Sequence, residues 1–293
     1  MQAWLATGRE AREPLAGAAL QVTDAQGKAY ALITDAQGRA LLSGLPEGAY
    51  RLTQETTTAG ATVDTPEQTF EIQGGAETVL EQTSSLNAVV QVKQQGIVLS
   101  RQGTARLVPL PAGYAAYDAQ GALISEDASL PLPVTASGTI YLFRQRAEVP
   151  GFVADEAVHS VRLYPGDEQT IQTLVYSSQG YFTLEHVSAA DGAPVGGGAF
   201  ALYDASGALR LRFEADAQGR YASEQPLPSG RYTLALETAA EGYMADPAFQ
   251  TLTRSLDIPV YLSPGQPVGQ ATYASAPLSE ATRISQTPGL TVS

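Results

Sequence analysis

The stretch Pro14–Leu52 reads PLAGAALQVTDAQGKAYALITDAQGRALLSGLPEGAYRL, and it decides the fold class. Apolar and polar residues alternate through Ala19–Thr23, which is the period of a half-buried β-strand. Asp-Ala-Gln-Gly occurs at Asp24 and again at Asp35. This is a tight-turn sequence, because the Asp carboxylate can accept a nearby backbone N–H and Gly takes the positive φ that closes a hairpin. Alternating strands joined by tight turns predict an all-β domain.

The same order of elements recurs twice. Ala193–Leu234 reads APVGGGAFALYDASGALRLRFEADAQGRYASEQPLPSGRYTL and shares with the first stretch the motifs P-[LV]-x-G, Asp-Ala-x-Gly and L-P-x-G-x-Y-x-L. A worn copy between them reads PAGYAAYDAQGALISEDASLPLP, followed by SGTIYLF. Aligning Tyr50 with Ile140 and Tyr232 gives spacings of 90 and 92 residues. A period of that length predicts complete sandwich domains of about 100 residues and is too long for a solenoid repeat.

The sequence therefore predicts three tandem Ig-like β-sandwiches in a row, over residues 1–85, 86–179 and 180–275, with a linker or tail at 276–293. Thr83–Ser85 and Ser177–Gln179 are short polar joints between the units. The stretch from Ala274 onward combines small residues, two prolines and weak periodicity, which is typical of a linker. No amphipathic helix is expected.

Composition excludes several classes of function. The chain has 293 residues and a formal net charge of −13, so nucleic acids and anionic membranes are poor partners. It has no cysteine, which excludes disulfides and thiolate chemistry. No apolar run is long enough to span a membrane, and the start, Met-Gln-Ala-Trp-Leu, is not a signal peptide. If the protein is exported, we expect this chain to be a fragment.

The repeat resembles the prealbumin-like domain of Gram-positive surface proteins, known as the collagen-adhesin B-type or SpaA-type pilin domain. The resemblance rests on P-L-x-G-A, D-x-x-G, T-D-x-x-G-x-[AY] and L-P-x-G-x-Y-x-L. It is close over Pro14–Leu52 and Ala193–Tyr243 and weak over Lys93–Phe152. The resemblance implies a seven-strand sandwich with Greek-key features and a place in an adhesin stalk or pilus shaft.

The resemblance also implies a site. Many members carry an isopeptide bond between a Lys on the first strand and an Asn on the last, assisted by a buried acid in G-x-Y-x-L-x-E. Here the acid slot holds Gln54, Arg144 and Leu236 in the three units, and Glu55 and Glu237, one residue further on, should face the other way. The Lys slot holds Thr7 or a neighbour, Lys93 and His186.

We therefore predict that the chain has no isopeptide bond. Its only lysines are Lys28, in a turn, and Lys93, and its only asparagine is Asn87, at a joint between units. An ester crosslink between Thr7 and Gln82 is a further possibility that the sequence leaves open.

Other chemistry is less well supported. The Asp-Ala-x-Gly segments lack the second and third ligands of a calcium loop, so we interpret them as hairpin turns; they begin at Asp24, Asp35, Asp118, Asp204 and Asp216. The two histidines, His159 and His186, fall in different units and are interpreted as isolated strand or surface residues. Gly196–Gly198 lacks the strand-to-helix setting of a phosphate cradle. No catalytic residue, metal site or cofactor is predicted.

The worn middle unit is where we expect any specialised binding. Its departures from the repeat fall at Ser125–Val134 and Gln145–Phe152, and loops at sandwich ends can change without disturbing a core. Tyrosines are concentrated there and at its exit, where they either pack internally or form an exposed patch; they are Tyr114, Tyr117, Tyr141, Tyr164, Tyr176 and Tyr181.

The sequence predicts a non-enzymatic stalk or spacer of a bacterial cell-surface adhesin or pilin-like protein, located outside a Gram-positive cell. Its partners would be neighbouring domains of the same polypeptide. One alternative is a ligand-binding adhesin that holds a host protein or glycan with the middle unit. Another is an accessory region of a secreted enzyme. The ligand, the organism and polymerisation into pili stay open.

Overall fold

The computed structural model describes residues 1–55, 57–245, 258–262 and 268–277. These residues form strands and turns without any helix, which confirms the all-β prediction of tandem sandwiches. The part of the predicted tail beyond residue 277 lies outside the described residues. The described part of the chain contains no helix that could cross a membrane.

The first module is built from two four-stranded sheets. One has the order β2-β1-β8-β6 and the other the order β4-β3-β5-β7. The strands are β1 (Gln2–Ala6), β2 (Arg12–Pro14), β3 (Ala19–Asp24), β4 (Ala29–Ile33), β5 (Gly48–Gln54), β6 (Ala61–Val63), β7 (Glu67–Ile72) and β8 (Glu81–Leu86). Leu20, Val22, Tyr50 and Leu52 form its main core, because alternate residues of β3 and β5 face inward.

The second module has sheets of three and four strands, with the orders β10-β9-β15 and β12-β11-β13-β14. The strands are β9 (Val89–Leu99), β10 (Ala105–Leu110), β11 (Tyr114–Asp118), β12 (Leu123–Ser125), β13 (Thr139–Gln145), β14 (His159–Leu163) and β15 (Glu168–Tyr176). Its core includes Val90, Tyr114, Leu132 and Phe143.

The third module repeats the plan of the first. Its sheets have the orders β19-β16-β24-β22, with β20 also pairing with β16, and β18-β17-β21-β23. The strands are β16 (Gln179–Ser188), β17 (Ala199–Asp204), β18 (Leu209–Glu214), β19 (Arg220–Ala222), β20 (Leu227–Pro228), β21 (Gly230–Thr238), β22 (Tyr243–Ala245), β23 (Ile258–Leu262) and β24 (Val268–Pro277). Aromatic rings dominate its core, with Phe182, Phe200 and Phe213 at its centre.

The described chain divides into two compact units. One contains Met1–Gln94, Pro111–Ala147 and Asp155–Thr173, and the other contains Gln95–Leu110, Glu148–Ala154 and the described residues from Leu174 onward. The division passes through the second module and does not coincide with the sequence boundaries at 85/86 and 179/180. Those boundaries therefore stay a prediction.

The first and last strands of a module run parallel and side by side. In the first module β1 pairs with β8, from Gln2↔Glu81 to Ala6↔Ser85. In the third module β16 pairs with β24 in the same sense, from Tyr181↔Val268 to Ser188↔Ser275. Parallel neighbours require a long crossover connection, and in each case the rest of the module supplies it.

A buried tyrosine fixes the register of the repeat. The hydroxyl of Tyr50 donates to the carbonyl of Pro46 at 2.9 Å, and that of Tyr232 donates to the carbonyl of Pro228 at 2.6 Å. In the second module the hydroxyl of Tyr141 donates to the carbonyl of Pro133.

The alignment of Ile140 with Tyr50 is therefore wrong, and Tyr141 is the equivalent residue. Asp118 faces Tyr141 as Asp24 faces Tyr50. The connection from proline to tyrosine is four residues longer in the second module, because it spans eight positions and not four. The corrected spacing is 91 residues in both steps, since 141 − 50 and 232 − 141 are equal.

Two glycines sit where backbones approach closely. A Cβ on Gly38, whose φ is +70°, would lie 2.4 Å from the Ala3 carbonyl oxygen. A Cβ on Gly219, also at φ +70°, would lie 2.3 Å from the His186 carbonyl oxygen. The Asp-Ala-Gln-Gly turns that contain these glycines therefore pack directly on the first strand of their module.

We expect Gly38→Ala to destabilise the first module much more than Gly27→Ala does. Gly27 also has a positive φ, of +85°, but a Cβ there would meet nothing within 4 Å. Gly27→Ala should therefore lower the free energy of unfolding by only about 1–2 kcal/mol, through backbone strain. Gly38→Ala adds a clash and should lower it by roughly 3 kcal/mol or more. Urea unfolding followed by the fluorescence of Trp4, the only tryptophan, measures both variants. Equal losses would contradict the packing described here.

Candidate functional site: a polar centre inside each sandwich

Each module carries buried polar side chains where its last strand meets the facing sheet. In the first module, Nε2 of Gln54 donates to Oγ of Ser84 at 2.9 Å. Gln54 is 7% exposed and Ser84 is fully buried, so this hydrogen bond replaces solvation that both groups lose on folding. Ser84 lies on β8, the last strand of the module.

In the second module the polar centre is larger. The hydroxyl of Tyr114 donates to Oδ2 of Asp155 and lies 3.1 Å from Oγ1 of Thr173 and 3.3 Å from Nε2 of Gln94. Nε2 of His159 lies 2.8 Å from the same carboxylate oxygen of Asp155. Thr173 occupies the last strand, β15, and is buried.

Asp155 stays ionised in this setting. Burial alone raises the pKa of its carboxyl, but hydrogen bonds from Tyr114 and His159 outweigh burial and leave the pKa below its ordinary value. The pKa of Tyr114 is raised strongly, first by burial and then by its hydrogen bond to Asp155, so Tyr114 stays protonated and donates. The centre is therefore a neutral phenol and a carboxylate beside an imidazole.

In the third module the polar centre is a histidine. His186 is fully buried, with Nε2 2.9 Å from Oγ of Ser275 and Nδ1 3.1 Å from the carbonyl oxygen of Gly197. Since a carbonyl oxygen only accepts, Nδ1 carries the proton and Nε2 accepts from the Ser275 hydroxyl. Both ring nitrogens are thus satisfied in the neutral form, and burial lowers the pKa of His186.

The position where the resemblance places a buried acid has an equivalent in each module. It is identified by the residue that it faces on the neighbouring strand. Gln54 faces Leu20 and Leu236 faces Phe200, as the sequence predicted. In the second module Gln145, and not Arg144, faces Tyr114 in the equivalent way, so the assignment of Arg144 is wrong. Arg144 is exposed, and its guanidinium lies 5.4 Å from the centre of the Tyr117 ring.

Glu55 and Glu237, one residue beyond the slot, are exposed, as their strand position predicted. Glu55 accepts from Nε2 of Gln21, and Glu237 accepts from Arg212 at 3.0 Å. Neither carboxylate reaches the interior.

The Lys slot needs two corrections. Ala3, and not Thr7, is the equivalent of His186, because its carbonyl oxygen meets Gly38 as that of His186 meets Gly219. Lys93 is exposed, whereas the next residue, Gln94, is buried. A one-residue offset moves a strand side chain to the other face, so Lys93 lies outside the polar centre.

The structure does not bring Thr7 and Gln82 together. Gln82 faces Ala3 across the β1–β8 pair, and Thr7 lies four residues further along, roughly 13 Å away at about 3.3 Å per residue. Oε1 of Gln82 accepts from Nε2 of Gln68 at 2.6 Å. The pair proposed for an ester is therefore not poised to react.

The remaining candidates have structural roles. The five turn aspartates each accept backbone N–H groups two and four residues further on, which confirms the hairpin interpretation. Among the described residues, no group of three or more His, Asp or Glu side chains is placed to hold a metal ion. Both histidines are strand residues, as interpreted, with His159 on β14 and His186 on β16. They are not isolated, because each belongs to a polar centre.

The tyrosines of the second module divide between core and surface. Tyr114 and Tyr141 are buried in the core, Tyr164 lies under the guanidinium of Arg9 at 4.9 Å, and Tyr176 is exposed. The segment Ser125–Val134 is not a free loop, because Ala128, Leu132 and Val134 are core residues. A binding role for this module stays a prediction.

Comparison with known proteins identifies the first module. Residues 4–85 match the family model described as SpaA, prealbumin-like fold domain. This match covers most of the first module. The SpaA-type module thus extends from β1 to the end of β8 and includes the Gln54–Ser84 pair.

Solved structures that match the chain include the TIE protein of Bacillus anthracis, with 20% identity over 94% of this chain and 51% of that chain and a TM-score of 0.38. BcpA, the major pilin subunit of Bacillus cereus, has 13% identity over 95% and 99%, with a TM-score of 0.34. The 5-hydroxyisourate hydrolase of Klebsiella pneumoniae has 23% identity over 34% and 92%, with a TM-score of 0.26.

This chain spans about half the length of the TIE protein structure. No curated protein matches the chain.

We expect the third module to lose stability in mild acid through His186. The pKa of His186 in the folded protein lies below the ordinary 6.5. The stabilisation that the neutral imidazole gives the folded state is therefore complete above pH 6.5. It decreases by about 1.4 kcal/mol per pH unit as the pH falls toward the folded pKa. Because the chain has only two histidines, an NMR titration of the imidazole C–H signals measures the pKa of His186 in the folded protein. The variants His159→Gln and His186→Gln assign the two signals. A His186 signal that titrates at or above 6.5 would contradict the assignment.

Proposed function

We propose that the chain is a non-catalytic stalk or spacer segment of a bacterial cell-surface protein. The match of the first module to the SpaA prealbumin-like fold domain supports a surface setting, because the resemblance of the repeat to SpaA-type domains implies a place in an adhesin stalk or pilus shaft. The observation that carries the proposal is the parallel pairing of the first and last strands in the first and third modules. This arrangement suits a protein that transmits tension.

The mechanical argument follows from strand direction. The chain enters a module on its first strand and leaves on its last, and these two strands are parallel neighbours. Tension along the chain therefore pulls them past each other along their length. All the hydrogen bonds of the pair are loaded together, five register pairs in the first module and eight in the third, instead of opening one after another.

Packing at the joints also supports a stalk. Within the first compact unit, the backbone N–H of Ala136 in the second module donates to Oδ2 of Asp64 in the first at 2.9 Å. Gly166 packs against the carbonyl oxygen of Thr7. Within the second compact unit, Arg101 at the tip of the β9–β10 hairpin donates to the carbonyl oxygen of Ser223 at 3.4 Å. Such contacts limit bending at both joints.

The polar centres do not need covalent crosslinks in this proposal. Lys28 lies in the turn between β3 and β4, Lys93 is exposed, and Asn87 accepts from Oγ1 of Thr62 at 2.8 Å. A Lys–Asn bond requires both groups in one buried centre. The proposed stalk is therefore held by hydrogen bonds and packing alone.

We expect the intact mass of the purified chain to equal the mass calculated from its sequence. Each isopeptide bond would release one ammonia, and so would an ester between Thr7 and Gln82. Mass spectrometry under denaturing conditions resolves this difference, and the sequence provides an unambiguous reference because it has no cysteine to oxidise. A deficit of one or more ammonia masses would refute a stalk without crosslinks.

We expect the resistance of the first module to force to depend strongly on pulling direction. Because the chain lacks cysteine, handles can be attached through Gln2→Cys with Leu86→Cys, which shears β1 past β8. The matched control, Gln2→Cys with Glu81→Cys, attaches to register partners at one end of the same pair and peels it open. Single-molecule force spectroscopy should find a several-fold higher unfolding force for the shear pair. Equal forces would contradict the load-bearing role.

A second candidate function is a ligand-binding adhesin that uses the second module. Large apolar side chains of this module are exposed within the second compact unit, including Leu107, Leu174 and Tyr176. Exposed apolar surface is typical of interaction sites.

A further inference from the structure

The connection after β5, β13 and β21 makes the same tight turn in each module. The third residue of the turn is a glycine with positive φ, as this turn type requires: Gly60 at +77°, Gly151 at +83° and Gly242 at +80°. In each case the N–H of the next residue donates to the carbonyl oxygen three residues earlier, at 3.0–3.2 Å. The glycines are 91 residues apart, which is also the spacing of the buried tyrosines, so the turn is part of the repeat.

At the first joint, between β8 and β9, this turn holds the chain as it leaves the first module. The carbonyl oxygen of Gly60 accepts from the backbone N–H of Asn87 at 2.8 Å. Oγ1 of Thr62 donates to the side-chain oxygen of Asn87, also at 2.8 Å. From the second module, the N–H of Gly166 donates to the carbonyl oxygen of Leu86 at 3.2 Å. The joint residues are therefore hydrogen-bonded to both modules.

The second joint, between β15 and β16, is held in the same way. The carbonyl oxygen of Gly151 accepts from the backbone N–H of Ser178 at 2.9 Å. Two residues after this glycine, the N–H of Val153 donates to the carbonyl oxygen of Tyr176 at 2.9 Å. From the third module, the N–H of Ser229 donates to the carbonyl oxygen of Ser178 at 2.6 Å. All of these residues lie in the second compact unit, and again the joint is hydrogen-bonded on both sides.

Phe152 anchors the second turn in its own module. A Cβ on Gly96, in β9, would lie 2.1 Å from Cε1 of Phe152, so the aromatic ring occupies the space that a side chain at Gly96 would need. In the first module the equivalent positions, 91 residues earlier, hold Leu5 and Ala61. The large and the small residue have changed places, which is expected where the turn packs against the first strand of its module.

An aspartate four residues after the turn glycine adds a further contact. Oδ2 of Asp64 accepts from the backbone N–H of Ala136, in the second module, at 2.9 Å. Asp155 is its equivalent 91 residues later, and its carboxylate is held by Tyr114 and His159 within its own module. The first turn is thus fixed to the next module, and the second turn to the polar centre of its own.

We propose that this glycine turn is a joint lock, which holds the chain between two modules so that bending there requires the turn to open. Modules joined by a short linker without such contacts move relative to one another by default. The lock is of use in a stalk, and in that sense the proposal rests on the proposed function and names the element that makes the stalk stiff. Gly60 with Asp64 locks the first joint, and Gly151 with Phe152 locks the second.

Amide hydrogen exchange of the full chain, followed by NMR, tests the lock at each joint separately. Gly60→Ala should raise the exchange rate of the Asn87 N–H by about 5–30-fold, because a Cβ at this positive φ strains the turn and favours its open form. Gly151→Ala should have the same effect on the Ser178 N–H. A Cβ at either glycine meets nothing within 4 Å, so both variants should keep the fold.

Gly121→Ala is the matched control. Gly121 also has a positive φ, of +87°, and a Cβ there also meets nothing within 4 Å, but it lies in the β11–β12 turn and not at a joint. This variant imposes similar backbone strain and should leave the exchange of the Asn87 and Ser178 N–H groups unchanged. Unchanged exchange in Gly60→Ala and Gly151→Ala, or an equal rise with Gly121→Ala, overturns the proposal.

Distances between spin labels show whether opening of the turn frees the joint. Because the chain has no cysteine, labels at Gln26→Cys and Gln120→Cys, two exposed turn residues of the first compact unit, report on the first joint. Adding Gly60→Ala with Asp64→Ala should broaden the distribution of distances about twofold relative to the labelled parent. Circular dichroism checks that the loosened variant is folded.

The second joint provides the reciprocal control. Labels at Arg106→Cys and Ala205→Cys, both exposed in the second compact unit, should give a distribution that broadens with Gly151→Ala and Phe152→Ala. Each loosened variant should leave the distances at the other joint unchanged. A labelled parent as broad as its loosened variant overturns the lock. The force measurement on the first module includes no joint, so failure of the lock and failure of the stalk function are distinguishable.

Discussion

The parallel pairing of first and last strands is the constraint on which the rest of this structure depends. It brings the two ends of a module onto neighbouring strands, β1 beside β8 and β16 beside β24. The intervening strands must then cross to a second sheet and return, which produces the sandwich and its core. The close approach of Gly38 to Ala3, and of Gly219 to His186, holds the first strand in place from its other side.

The same pairing explains why polar groups are buried where they are. A hydroxyl on the last strand faces inward in each module, as Ser84, Thr173 or Ser275, and each has a different partner: an amide, a phenol or an imidazole. Burying such groups costs free energy unless they are hydrogen-bonded. Each module therefore provides a hydrogen-bond partner for its buried hydroxyl, with a different side chain in each case. The common feature is the place in the fold and not the chemistry.

Recognition of the repeat succeeded where local sequence controls local structure. The Asp-Ala-x-Gly turns form as expected, because an Asp carboxylate and the backbone N–H groups two and four residues on meet within one hairpin. Counting along the chain failed in the second module, where strand pairing makes Tyr141, and not Ile140, the equivalent of Tyr50. The one-residue error placed the acid slot on Arg144, whereas strand register places it on Gln145. In the Lys slot, burial distinguishes Gln94 from the exposed Lys93.

By itself the sequence determined the all-β class, the order of strands and turns, the SpaA-type character of the first module and the scarcity of lysine and asparagine. These follow from period, turn chemistry and composition, which act over a few residues or over the whole chain. Only the tertiary structure decided which side chains share an interior. The contacts of Asp155 with Tyr114 and of His186 with Ser275 depend on strand register and on loops that bring distant residues together, and no local pattern encodes those distances.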